Sequence, residues 1–166
     1  MSKILQTLVA LLITGFLITL GLAIYKYYPY LEAYYYNTNI DVSGIKLMMG
    51  KDDLAEALGQ EGEFINGMGG DGLRYSDKGI FVGISNHGLF KQKVSQIDTE
   101  NPDHSILGIS VGEDYDKALS ILKKHGFKKT NDIFEKGNVF VQLFGGSKIS
   151  MLRIYIEDPD YKGVQW

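Results

Sequence analysis

The sequence predicts an α+β protein: an N-terminal transmembrane helix, then two tandem helix–three-strand (αβββ) units forming an antiparallel sheet with helices on one face. Three observations carry this. Residues 4–24 form one uncharged apolar run. The stretches beginning at Gly44 and Leu107 repeat one order of glycine, amphipathic helix and alternating strands. The 20 glycines fall mostly between short apolar runs, which favours tight turns and many short strands.

The apolar run reads "ILQTLVALLITGFLITLGLAI", with only Gln6, Thr7, Thr14 and Thr19 polar. As a helix its 21 residues reach about 30 Å, the thickness of a bilayer core. A helix is the single-segment solution there, because lipid offers the backbone no hydrogen-bond partner. The rival reading is a cleaved signal peptide, supported by the small residues at Gly21 to Ala23. Its apolar region is normally about 7–15 residues, shorter than this run. No cysteine follows the run, which excludes a lipoprotein anchor.

Seven of the eleven tyrosines lie between Tyr25 and Tyr36. Tyrosine carries an apolar ring and a polar tip, so it settles at the headgroup level. Tyr25, Tyr27, Tyr28 and Tyr30 are expected as membrane-interface anchors, with Lys26 snorkelling among them. Pro29 is expected to end or kink the helix. For Tyr34, Tyr35 and Tyr36 two readings stand: a return to the membrane surface, or a stalk that docks a partner or the chain's own domain. Lys3 ahead of the span and Lys26 behind it give a weak orientation bias. The expected topology is a single-pass cell-membrane protein with a cytoplasmic N-terminus and an extracytoplasmic domain.

Beyond the span 16 basic and 20 acidic residues remain, a formal −4. A mildly acidic, interspersed surface gives no support for nucleic-acid binding, which needs a basic patch. The absence of cysteine rules out disulfides, thiolate zinc and cysteine catalysis. An outward-facing domain without disulfides suits a bacterial surface, particularly a Gram-positive one. About 125 residues suffice for one domain with its own core.

The repeat divides the chain into a short tail (1–3), the span (4–24), a Tyr-rich stalk (25–43), two units (44–100 and 101–157) and a C-terminal tail (158–166). Leu47, Met49 and Gly50 align with Ile109, Val111 and Gly112. Each glycine leads into a helix with acidic residues at its start, Asp52 and Asp53 or Glu113 and Asp114. Leu54, Ala55 and Leu58 form the first apolar stripe, and Ala118, Leu119 and Leu122 the second. Gly59 and Gly126 read as stops. Residues 60–72 read as a Gly-rich loop. "YSDKGIFVGI" then matches "FEKGNVFVQL", with Gly79 and Gly137 at turns, and "KVSQIDT" matches "ISMLRIYI". Residues 98–106 read as an acidic linker.

This order resembles the repeat superfamily that includes the β-lactamase inhibitor protein, with two such units, and the SmpA/OmlA-type small lipoproteins, with one. The matching residues are Gly50, Leu54, Leu58, Gly59, Lys93, Val94 and Ile97, then Gly112, Leu122, Gly126, Ile149 and Ile154. The chain departs from the inhibitor in lacking disulfides and from the lipoproteins in lacking a lipidated cysteine. The resemblance implies a sheet with helices on one face, an exposed face for protein contacts, and no catalysis.

No catalytic, cofactor or metal site is nominated. "GMGGDG" (Gly67 to Gly72) satisfies G-x-G-x-x-G, but the dinucleotide fingerprint needs a helix after it and "LRYSD" reads as a strand. His87, His104 and His125 have no metal-ligand spacing. Asp98, Glu100 and Asp103 lack the pattern of a calcium loop and read as solvated. The sharper expectation concerns the sheet. If Ile80, Val82, Ile84, Val139, Val141 and Leu143 face the helices, then Phe81, Phe140, Phe144, Arg153 and Tyr155 point away. Aromatics with arginine are the residues that anchor protein interfaces. The sequence thus favours a non-catalytic protein-binding ectodomain (an accessory subunit, inhibitor or immunity-type protein). The alternative is a cell-wall or small-molecule sensor or enzyme using loop 62–72.

Overall fold

Helix α1 (Lys3–Asn37) carries the apolar run, passes through Pro29 and ends only after the last of the clustered tyrosines. The computed structural model describes residues 3–59, 61–67 and 70–161. The helix is long and apolar enough to cross a membrane, and its first 26 described residues are all exposed. Of the two expected effects of Pro29, the end of the helix is not the one found. Proline costs one backbone hydrogen bond, but the turns around it are held from outside: Pro29, Glu32, Ala33 and Tyr36 are buried against the domain.

The end of α1 is pinned. The Asn37 side chain accepts from the Leu47 N–H at 2.8 Å and donates to the Leu47 carbonyl at 2.9 Å. The Lys46 ammonium donates to the carbonyls of Asn37 and Ile40 at 2.8 and 2.6 Å. A cation there meets the orphan carbonyls and the negative end of the helix dipole.

A small sheet follows, in which β1 (Ile40–Asp41) pairs with β6 (Ser105–Ile106) and β6 with β7 (Ile109–Ser110). Helix α2 (Lys51–Leu58) buries Leu54 and Leu58 at i, i+4 spacing. Gly59 ends it with φ 68°, and the Asp53 carboxylate accepts from the Gly50 N–H. Helix α3 (Tyr115–Lys124) buries Ala118 and Leu122, again at i, i+4. Asp114 caps it by accepting from the N–H groups of Asp116 and Lys117.

Eight strands make the main sheet: β2 (Glu63–Gly67), β3 (Gly70–Tyr75), β4 (Ile80–Ser85), β5 (Lys93–Thr99), β8 (Lys128–Thr130), β9 (Ile133–Lys136), β10 (Val139–Gly145) and β11 (Ile149–Ile156). Their order is β2-β3-β4-β5-β11-β10-β9-β8, antiparallel throughout. Each helix is therefore followed by four strands rather than the expected three. The first extra strand, β2, lies inside what reads as the loop 60–72. The second, β8, lies in "KKT". Both are edge strands.

One face of the sheet carries the core. Val82, Ile97, Ile154 and Val141 lie side by side across four strands and are fully buried. Each such aliphatic removed from water contributes about 1.5–3 kcal/mol. Helices α2 and α3, the small sheet and the last third of α1 add buried side chains to the same cluster. The linker reading of residues 98–106 is corrected. Asp98 and Thr99 are buried on β5, and His104 is buried between hydroxyls, its Nδ1 2.7 Å from Thr99 Oγ1 and its Nε2 2.9 Å from Ser43 Oγ. At the start of the C-terminal tail the buried Asp158 carboxylate accepts from the Leu89 N–H at 3.0 Å.

Candidate binding face

The second face of the sheet is built by alternation. Leu152, Ile154 and Ile156 point into the core, so Met151, Arg153 and Tyr155 point out. The same rule on β5 turns Ile97 and Thr99 inward and Gln96 and Asp98 outward. One row then crosses five strands: Arg74, Phe81, Asp98, Arg153 and Gln142 are successive cross-strand partners. The row beside it reads Gly72, Gly83, Gln96, Tyr155 and Phe140.

Phe81, Phe140, Phe144, Arg153 and Tyr155 all lie on this face. They are not equally accessible. Phe81, Phe144, Arg153 and Tyr155 are half-buried, whereas Phe140 is 6% exposed. Phe140 and Tyr155 stack with ring centroids 4.9 Å apart and planes at 11°, a geometry worth about 0.5–1.5 kcal/mol beyond burial. Burial pushes the Tyr155 phenol up to about 12, with Glu157 adding to the shift and Arg153 opposing it. The hydroxyl stays protonated at any physiological pH.

Charge is concentrated at the centre. The Arg153 guanidinium donates to both Asp98 oxygens, from Nε at 2.8 Å and from Nη2 at 2.7 Å. Gln96 donates to the same carboxylate. Arg153 also lies 5.3 Å from the Phe144 ring centroid, within cation–π range. The hydrogen bonds to Asp98 hold the guanidinium pKa above its usual value against the opposing effect of burial. The forked geometry fixes the arginine as a rigid platform.

Glycine shapes the rest. A Cβ on Gly72 would come within 2.6 Å of the Phe81 ring, so the ring lies across the bare backbone of β3. Beside it is a concavity of about 560 Å³ lined by Arg74, Phe81, Asp98, Thr99, Met151 and Arg153 among others. None of the described residues lining it comes from 62–72. That segment is the β2–β3 hairpin rather than a loop, with Met68 and Gly69 outside the described residues.

Sequence reasoning missed Asp98, Gln96, Gln142 and Arg74. The signal was present: the alternation that turned Arg153 outward turns Asp98 outward once "KVSQIDT" is taken through to Thr99. Among the described residues no three His, Asp or Glu side chains gather as metal ligands do.

At the other end of the molecule the tyrosines divide. Tyr25, Tyr27 and Tyr28 are exposed, as is Lys26. Tyr30, expected at the headgroups, is turned to the domain. Its hydroxyl donates to the Leu89 carbonyl at 2.8 Å and its ring meets Phe90 edge-on. Tyr36 is buried against Phe127. Burial, then the nearby Glu32, raises its phenol to about 12. Tyr34 and Tyr35 remain exposed.

No protein-family profile and no curated protein sequence matches the chain. Two solved structures share the fold. One is an extracellular protein containing a SCP domain from Bacillus anthracis str. Ames, with TM-score 0.52 and 11% identity over 68% of this chain and 44% of that one. The other is a cysteine-rich secretory protein from Staphylococcus aureus subsp. aureus Mu50, with TM-score 0.50 and 12% identity over 69% and 46%. This chain spans less than half of either, and at such identities the likeness is one of fold alone.

Proposed function

We propose that the chain is a single-pass membrane protein whose extracytoplasmic domain binds another protein through the open face of its sheet, without catalysis. The observation that carries the reading is the row Arg74–Phe81–Asp98–Arg153–Gln142. It sets a paired, immobilised arginine near the half-buried Phe81 and Phe144, on the side of the sheet away from the core cluster that the described helices join. Protein interfaces are anchored by such residues, and a preorganised arginine loses little entropy on binding.

The anchoring rests on the length and apolarity of α1. The outward orientation draws support from Lys3 on the short side and from relatives in fold described as extracellular and secretory. We read the domain as two tandem units, α2 with β2–β5 and α3 with β8–β11. The mirrored strand order meeting at β5–β11 supports this. So does the segment before each helix, which bonds to the start of its last strand: Met48 to Val94, and Gly112 to Ile149. That arrangement agrees with the likeness to the β-lactamase inhibitor superfamily, in which the open face makes protein contacts.

A second reading has one observation in its favour. The concavity beside Phe81 falls within the size range of small-molecule sites, about 300–1,000 Å³. One experiment separates the two. Full-length protein and its Phe144→Asp variant are used to capture partners from native membranes, and their melting curves are compared. A partner lost from a variant that melts normally supports protein binding. An unchanged partner set removes the open face from the interaction and favours the ligand reading.

A further inference from the structure

The outer side of α1 carries a seam that runs through the end of the apolar span at Ile24. Leu17, Leu20, Ile24, Tyr27, Leu31 and Tyr34 recur at alternating spacings of three and four, and all are exposed. Beyond the span the residues docked on the domain (Pro29, Glu32, Ala33, Tyr36) occupy the opposite side of the helix. The charges of this stretch avoid the seam: Glu32 is turned into the domain, and Lys26 lies on neither its three- nor its four-spaced positions. Leu31 is 65% exposed and Tyr34 76%.

Lipid cannot cover the upper part. With the span ending at Ile24, Tyr34 stands about 15 Å further along the axis. The headgroup layer is roughly 5–7 Å thick on each side. The same seam continues without a break from Tyr34 down to Leu17 inside the bilayer, so one element can cover all of it. A parallel helix at the same depth does that, because a 3–4 repeat keeps two helices in register along a shared seam. A second copy of this chain meets every requirement: same orientation, same depth, same spacing. Outside the membrane Tyr27, Leu31 and Tyr34 offer on the order of 400 Å² per copy. The intramembrane seam adds to this toward the roughly 800 Å² per partner of a stable interface.

We propose that the chain forms a parallel homodimer through this face of α1, which leaves both open sheet faces free for partners. The inference rests on the membrane anchoring proposed above. The chain has no cysteine, so single thiols report directly. Tyr27→Cys, Leu31→Cys and Tyr34→Cys lie on the seam; Tyr25→Cys and Lys26→Cys lie off it. Full-length variants in native membranes are oxidised with copper–phenanthroline after alkaline carbonate washing. The expected result is retention in the membrane and several-fold more disulfide-linked dimer at 27, 31 and 34 than at 25 and 26. Release by carbonate overturns the anchoring and the dimer with it. Retention with equal cross-linking at all five positions, with none, or with adducts to a different protein overturns the homodimer and leaves the anchoring standing.

Discussion

Glu32, on the helix that carries the membrane segment, is bonded to Asn138, 106 positions further along the chain. Its carboxylate accepts from the Asn138 N–H at 3.2 Å and from the Asn138 side-chain amide at 2.9 Å. The contact lies in the β9–β10 turn, where Gly137 takes φ 65° and a Cβ would meet a Glu32 oxygen at 1.8 Å. The last turns of the helix are thus docked on the domain through Pro29, Glu32, Ala33 and Tyr36.

Glu32→Ala leaves a backbone N–H without its carboxylate partner and is expected to cost about 1–3 kcal/mol. Gly137→Ala adds left-handed strain and a clash, and is expected to cost at least as much. Thermal melts of the full chain in lipid nanodiscs check both. Normal melting of the two variants would mean that the helix does not dock.

Removal of α1 should matter according to where the cut falls. A chain starting at residue 25 keeps Glu32, Ala33 and Tyr36 in place. One starting at residue 38 exposes Phe127 and Phe90 and strands Asn138. The loss should be roughly 3–5 kcal/mol, given the burial and hydrogen bonds removed. Denaturant midpoints of the two fragments measure it directly.

The Arg153–Asp98 pair should show asymmetric energetics. Asp98 is 5% exposed, so Arg153→Met leaves a buried carboxylate without its cation and should cost about 3–5 kcal/mol. Arg153→Met with Asp98→Leu should recover much of that loss. The double-mutant cycle gives the coupling, and an additive result would show that the pair is solvated.

His104 supplies a pH dependence. Burial lowers its pKa from the ordinary 6.5, against the opposing pull of Asp41 and Asp103. The unfolded chain therefore takes up a proton near 6.5 while the folded chain resists until lower pH. The stabilising contribution is complete above 6.5 and falls as the pH drops below it. Melting temperatures at about pH 7.5 and about pH 5.5 should differ, and His104→Gln should reduce that difference.

Much of the architecture is legible in the chain because burial imposes periodicity. The strands from Lys93 to Thr99 and from Ile149 to Ile156 run over the residues their alternation marks, and the helix stops at Gly59 and Gly126 stand where glycine can turn left-handed. The two strands that escaped notice, β2 and β8, are edges. "KKT" is exposed at every position, so no alternation betrays it. "EFING" runs straight into the Gly-rich "GMGGDG" and keeps Phe64 in solvent. Tyr30 and Tyr36 were unreadable for a different reason. A tyrosine near a membrane satisfies the bilayer and a protein core equally well, and only the tertiary position of Leu89 and Phe127 decides. Asp98 was obscured by its neighbours: in "DTENPD" it reads as one of several solvated acids, although Arg153 claims it 55 positions away.

The account turns on whether the open face meets a protein in the membrane environment. A photo-crosslinking phenylalanine analogue replaces Phe144 in the full-length chain, and the same analogue replaces Phe64 at the sheet edge as a control. Irradiation of native membranes should give one discrete protein adduct from position 144 and none of that identity from position 64. No adduct at 144, or the same diffuse adducts at both positions, would contradict the reading of this face as a protein-binding surface.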